Sequence, residues 1–138
     1  MDIGTGSGIL AIAALKLGAA KAEGVDIDPM CVRTAGENAA LNGVQNDLTV
    51  LVGDLSEKAT GVYDVICANI VANAIIHLVP DVPALLAKHG TFLASGIIDT
   101  RKDEVIAAVQ AAGLALREVK EKNGWVALVC GHVKERLL

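Results

Sequence analysis

Asp2-Ile3-Gly4-Thr5-Gly6-Ser7-Gly8 constrains the fold of this chain more than any other stretch. An acidic residue closing a short apolar run, then glycines at alternate positions, then a long apolar segment, describes a strand–turn–helix junction in an open α/β fold. Glycine is needed where the backbone takes positive φ, and where it must approach a ligand with no Cβ in between. A helix opening near Gly8 would aim its free N–H groups into the same crevice. A nucleotide-like ligand suits such a junction; a tight turn holding nothing is the alternative. Only Met1, Asp2 and Ile3 precede the first glycine, whereas a strand usually runs about 5–6 residues. The chain is therefore expected to begin inside its own first strand, leaving that strand truncated.

Downstream, strands and helices alternate. Leu10 to Leu17 is apolar on nearly every face, as a helix buried against a sheet would be, and Gly18 can end it. Ala22 to Asp26 reads as the second strand. Asp28-Pro29 opens a helix with a carboxylate cap and proline at its first position, and Asn42-Gly43 closes it. Leu48 to Val52 and Val62 to Ala68 are the third and fourth strands. A helix from Val71 to Ala87 must kink or break at Pro80 or Pro83. Thr91 to Ser95 is a fifth strand, and Asp99 to Ala112 a helix ended by Gly113. Leu114 to Val119 and Trp125 to Cys130 are strands too close together for a parallel crossover, so they form an antiparallel hairpin turning at Asn123-Gly124. The expected fold is a single α/β domain, Rossmann-like and doubly wound, mostly parallel, with a reversed strand at its C-terminal end.

Composition narrows the function classes. The 138 residues are 53% hydrophobic but only 2% aromatic, so the core is built from Ala, Val, Ile and Leu. No apolar run reaches the ~18 residues of a membrane span, and no secretory signal is visible. A formal charge of −4 gives no overall basic footprint for direct nucleic-acid binding. Cys31, Cys67 and Cys130 lack C-x-x-C metal spacing and read as reduced, packed thiols of a cytoplasmic protein.

The glycine pattern alone does not choose the ligand. Gly6, Gly8 and Ala11 satisfy G-x-G-x-x-A, which also suits a dinucleotide. Asp26 ends the second strand, where a carboxylate accepts from both ribose hydroxyls; a solvated strand-end acid is the alternative. Gly53-Asp54 ends the third strand in position to meet an adenine edge, or forms a plain turn. Asp2 brings the distinction. A carboxylate at the cofactor's edge answers an ammonium group and repels a pyrophosphate. Together with the terminal hairpin, this favours S-adenosylmethionine over a nicotinamide cofactor.

Asp2 to Ala14, Gly24-Val25-Asp26-Ile27-Asp28-Pro29 and the run from Glu37-Asn38-Ala39 to Leu41-Asn42-Gly43 resemble the class I methyltransferases. Cys67-Ala68-Asn69-Ile70-Val71-Ala72, Ser95-Gly96-Ile97-Ile98 and Gly124-Trp125 narrow the resemblance to the ribosomal protein L11 methyltransferases, known as PrmA. It covers essentially the whole chain. The resemblance implies an S-adenosylmethionine-dependent enzyme that methylates amino groups of a large-subunit ribosomal protein, with a separate N-terminal substrate-recognition domain absent from this chain. It implies cofactor contacts at Asp2, Gly4, Thr5, Gly6, Gly8, Asp26, Ile27, Asp54 and Asn69, no metal, and Asn69 as the catalytic-site residue.

Methyl transfer from a sulfonium needs an aligned neutral amine and exclusion of water rather than a nucleophilic side chain. Asn69 can orient the amine, contact the cofactor or cap the following helix. His77 reads as packed within an apolar helix face, His89 and His132 as loop or edge residues, and Trp125 as core. Methyltransferases acting on a base or a glutamine side chain prefer Asn-Pro-Pro-aromatic where this chain has Asn69-Ile70-Val71-Ala72, so those acceptors rank second. A non-catalytic cofactor-binding fragment is the alternative from another class.

Overall fold

A computed structural model describes residues 1–134, which hold seven strands and five α-helices. They fall into two units, Met1–Thr60 and the residues from Gly61 onward.

The first unit contains β1 (Asp2–Ile3), α1 (Ile9–Lys16), β2 (Ala22–Asp26), α2 (Pro29–Leu41) and β3 (Leu48–Val52). Its strands lie in the order β3-β2-β1 and are all parallel. Ile3 stands opposite Val25, and Asp26 opposite Val52, so the carboxyl ends of all three strands open at one edge. The bounds of β2 and β3 match the sequence expectation. The α2 start also matches: Asp28 Oδ1 accepts from the Met30 N–H at 2.9 Å, with Pro29 first in the helix. Gly43 follows with φ 70°, the left-handed stop that glycine provides. Helix α1 departs from expectation. It buries only Ala11 and Ile12, while Leu17 just past its end is 89% exposed.

The second unit contains β4 (Tyr63–Asn69), α3 (Ala72–Leu78), α4 (Val82–Leu85), β5 (Leu86–Ile98), α5 (Lys102–Ala111), β6 (Leu114–Lys122) and β7 (Trp125–His132). Within it the strand order is β4-β5-β7-β6; β4 and β5 are parallel, and β7 runs antiparallel to both its neighbours. The expected hairpin forms with Lys122 opposite Trp125. Asn123 and Gly124 both take positive φ, 52° and 82°, as a two-residue turn matched to the strand twist requires.

The Val71–Ala87 segment breaks as its prolines require, into α3, a 3-10 turn at Val79–Asp81, and α4, because Pro80 and Pro83 each remove a backbone donor. Three expectations need correction here. Strand β5 is 13 residues long and absorbs Leu86–Gly90, which had no strand-like pattern. His77 is exposed: α3 buries Ala72, Ile75 and Leu78, and His77 falls on the other side. Trp125 is 57% exposed beside the hairpin turn rather than in the core.

Candidate functional site

At the open edge of the first unit, β1 runs into a loop that backbone bonds anchor first. The N–H groups of Gly4 and Thr5 both donate to the Val25 carbonyl, at 2.8 and 2.9 Å, and the Gly8 N–H donates to the Thr5 carbonyl at 2.8 Å. Gly4, Gly6 and Gly8 all take positive φ, at 71°, 56° and 83°, which accounts for glycine at every second position. Their surroundings then separate their roles. A Cβ on Gly6 would meet nothing closer than 4.0 Å, so that position faces open space. A Cβ on Gly8 would lie 3.0 Å from the Ala35 Cβ, so Gly8 lets the start of α1 close on α2.

Two carboxylates organise this loop in different ways. Asp2 is 4% exposed, and its Oδ2 accepts from the Thr5 hydroxyl at 2.8 Å. Burial pushes its carboxyl up from 3.8, against the opposing pull of the Thr5 hydroxyl and the Ala11 N–H. A buried carboxylate whose donors and nearby charge only partly compensate its burial favours the approach of a further cation. Asp26, at the end of β2, accepts from the Gly6 N–H through Oδ2 at 2.9 Å and from the Asp28 N–H through Oδ1 at 3.0 Å. Backbone thus fixes both its oxygens. A carboxylate has about four acceptor sites, so the fixed group keeps capacity for ligand hydroxyls.

The remaining sequence candidates take up distinct places. Ile27 is 71% exposed directly after Asp26 and offers an apolar surface at the edge. Asp54 is exposed beyond β3, and the Gly53 N–H ties that turn to the Asp26 carbonyl at 3.0 Å. The first unit therefore assembles Asp2, Gly4, Thr5, Gly6, Gly8, Asp26, Ile27 and Asp54 around the ends of its three strands. Asn69 belongs to the second unit. It ends β4 opposite Ser95, is exposed, and does not cap α3, which has Val71 at its N-cap.

Three residues of this edge carry no site role in the sequence. Gly24 lies under the loop, where a Cβ would approach the Thr5 Oγ1 to 3.0 Å. Asn38 of α2 donates through Nδ2 to the Ser7 carbonyl at 2.9 Å. The Cys31 thiol is pushed up, by burial first and then by the charges of Asp26 and Asp28. A glycine two residues before the strand-end acid was the only signal available for the first. The other two depend on contacts between separate elements.

The chain matches the sequence model of the ribosomal protein L11 methyltransferase (PrmA) family over residues 1–132. The ribosomal protein L11 methyltransferase of Pelotomaculum thermopropionicum is 46% identical over 127 residues, covering 92% of this chain and 41% of that protein. The chain thus spans about two fifths of the length of the curated relatives it matches. The crystal structure of a ribosomal protein L11 methylase from Lactobacillus delbrueckii subsp. bulgaricus superimposes with a TM-score of 0.92 at 34% identity, over 95% of this chain and 68% of that one. An RNA methyltransferase from Salinibacter ruber, solved in complex with S-adenosyl-L-homocysteine, shares the fold at 22% identity, with a TM-score of 0.73 over 93% of this chain and 76% of that one. The fold is that of the class I methyltransferases, and the chain belongs to the ribosomal protein L11 methyltransferase family.

Proposed function

We propose that this chain is the S-adenosylmethionine-binding catalytic domain of a cytoplasmic enzyme that methylates amino groups of ribosomal protein L11. One observation carries the cofactor assignment: Asp26 is held by the Gly6 and Asp28 N–H groups at the end of β2, beside a Gly6 that opens onto free space. That arrangement fits a ribose. The buried Asp2 carboxylate, with its raised proton affinity, fits an ammonium group, and exposed Ile27 fits a flat apolar ring. The residues present are therefore suited to the methyl donor.

S-adenosylmethionine, when bound, supplies a methyl group on a sulfonium that an amine can attack directly. The chain's own residues have simpler tasks. Asp26 would accept from the ribose hydroxyls through the acceptor capacity that its two backbone donors leave free. Asp2 would answer the ammonium while still holding Thr5 and the start of α1. Asp54 would accept from the adenine edge. Asn69 would accept from an N–H of the incoming neutral amine, keeping its lone pair in line for attack.

Asn69→Ala, assayed for L11 methylation in an enzyme containing this domain, is expected to lower kcat and kcat/KM together while cofactor affinity holds. A variant with full turnover and weakened cofactor binding would move Asn69 to the cofactor instead.

A further inference from the structure

The second unit holds a cleft of about 790 Å³ that takes no part in the proposed methyl transfer. Lys88 and His89 reach it from β5, Arg117 from β6, and His132 and Lys134 from the end of β7 and just beyond. The basic side chains lining the cleft thus include two of the chain's three histidines, and no described acidic residue lines it, in a chain of net charge −4. The concentration of positive charge is local and does not follow from composition.

The cleft is also built rather than merely basic. Arg117 is the extra residue of a β-bulge, with Leu116 opposite Cys130 and Glu118 opposite Val129. A bulge re-aims the side chain it inserts. The Arg117 guanidinium lies over Gly131 so closely that any Cβ there would collide with it. His132 is fixed by Nε2, which lies 2.9 Å from the Leu86 carbonyl; since a carbonyl only accepts, Nε2 carries the proton. Among the described residues Lys88, Arg117 and Lys134 have no carboxylate partner, as holds also for Lys16, Lys58 and Lys122 elsewhere, so their charge is left for a ligand. Pro83, Leu86 and Val133 supply an apolar wall.

We infer that this cleft binds a small phosphate-bearing anion. Its volume lies within the range of about 300–1,000 Å³ found for small-ligand pockets. A planar guanidinium matches two phosphate oxygens at once, and Lys88 and Lys134 add mobile point charges. The apolar wall gives an organic part of the ligand somewhere to lie.

The test is calorimetric titration of the 138-residue chain with inorganic tripolyphosphate, cytidine triphosphate and a short single-stranded RNA. The two small ligands are expected to bind, with affinity falling as salt rises from about 50 to about 200 mM. Lys88→Glu combined with Arg117→Glu should weaken both at least about tenfold. Arg117→Lys, which keeps the charge but not the fork, should fall between the two. Both substituted positions are exposed, and unchanged affinity for S-adenosylhomocysteine would report an intact first unit. Unchanged circular dichroism would report an intact second one. Tighter binding of cytidine triphosphate than of tripolyphosphate would show the apolar wall in use; equal binding would confine recognition to the phosphates. Absence of binding by both small ligands would overturn the inference. So would affinity indifferent to the double reversal, or binding of the RNA alone.

Discussion

The two units divide burial and chemistry unevenly. Among the described residues, the first unit buries six apolar side chains below a tenth exposure: Ile3, Ala11, Ile12, Val25, Ala35 and Ala39. Half are alanines. The second buries seventeen, including Phe92, Ile66, Ile75, Leu78, Ile97 and Leu128. Yet the first unit carries the glycine loop, both organised carboxylates and the exposed Ile9 and Ile27. Apolar burial is the main favourable term in folding, so the sparsely packed unit is held to a greater extent by hydrogen bonds around its loop. Ligand sites are commonly drawn from the less stable parts of a fold, and occupancy then adds the missing stabilisation.

The strongest way to break this contrast is through the cores. Phe92→Ala removes a fully buried ring and should cost about 3–5 kcal/mol, against about 2 kcal/mol for Ile12→Ala, which starts 8% exposed. Denaturant melts of both variants would measure the difference. Equal losses would mean that the first unit is packed as firmly as the second.

Gly24→Val asks whether the loop depends on what lies beneath it. A Cβ would sit 3.0 Å from the Thr5 Oγ1, and the branched methyls would press further against the residue that holds Asp2. Overpacking of this kind costs about 1–3 kcal/mol. It should weaken S-adenosylhomocysteine binding in calorimetry as well as lower the melting temperature. Affinity unchanged in a destabilised variant would separate the loop's shape from its binding.

Gly124→Ala makes the corresponding change in the second unit, at φ 82°. The left-handed penalty of about 1–2 kcal/mol should lower the melting temperature while leaving cofactor affinity untouched. A loss of affinity here would undo the division of labour between the units.

The smallest expected effect is a dependence on pH. Asp2 has its carboxyl raised in the folded state, so the proton is held more tightly there than in the unfolded chain. Its contribution to stability is therefore complete below about the ordinary 3.8 and is lost as pH rises through the raised value. The melting temperature of wild type relative to Asp2→Asn should fall as pH climbs through that window with no ligand present. S-adenosylhomocysteine, which also carries the ammonium, should recover part of the loss. A difference independent of pH would mean that the buried carboxylate costs the fold nothing.

The elements with local signatures were legible from the chain itself. Asp28-Pro29 marks the start of α2 and Asn123-Gly124 marks the hairpin, because capping and positive φ depend on residue type over two or three positions. Long-range effects were not legible. Leu86–Gly90 joins β5 although only Leu86 pairs there, opposite Tyr63; Ala87–Gly90 fall in the irregularity before Thr91 pairs with Val65, and no local pattern announces that. The exposure of His77 and Trp125 likewise depends on which side of an element meets a neighbour. At the site, Asp26 could be read from its place after a strand, whereas Cys31 and Asn38 act across elements and left no mark in the spacing.

Whether the first unit grips the methyl donor through Asp26 is decided by calorimetric titration of wild type and Asp26→Ala with S-adenosylhomocysteine. The substitution removes the acceptor for the Gly6 and Asp28 N–H groups together with the proposed ribose contacts. Charged hydrogen bonds contribute about 1.5–3 kcal/mol each, so affinity should fall at least about tenfold per ribose bond lost, with NAD binding more weakly than S-adenosylhomocysteine to wild type. Equal affinity in the two proteins, or tighter binding of NAD, would rule out Asp26 as the methyl donor's anchor.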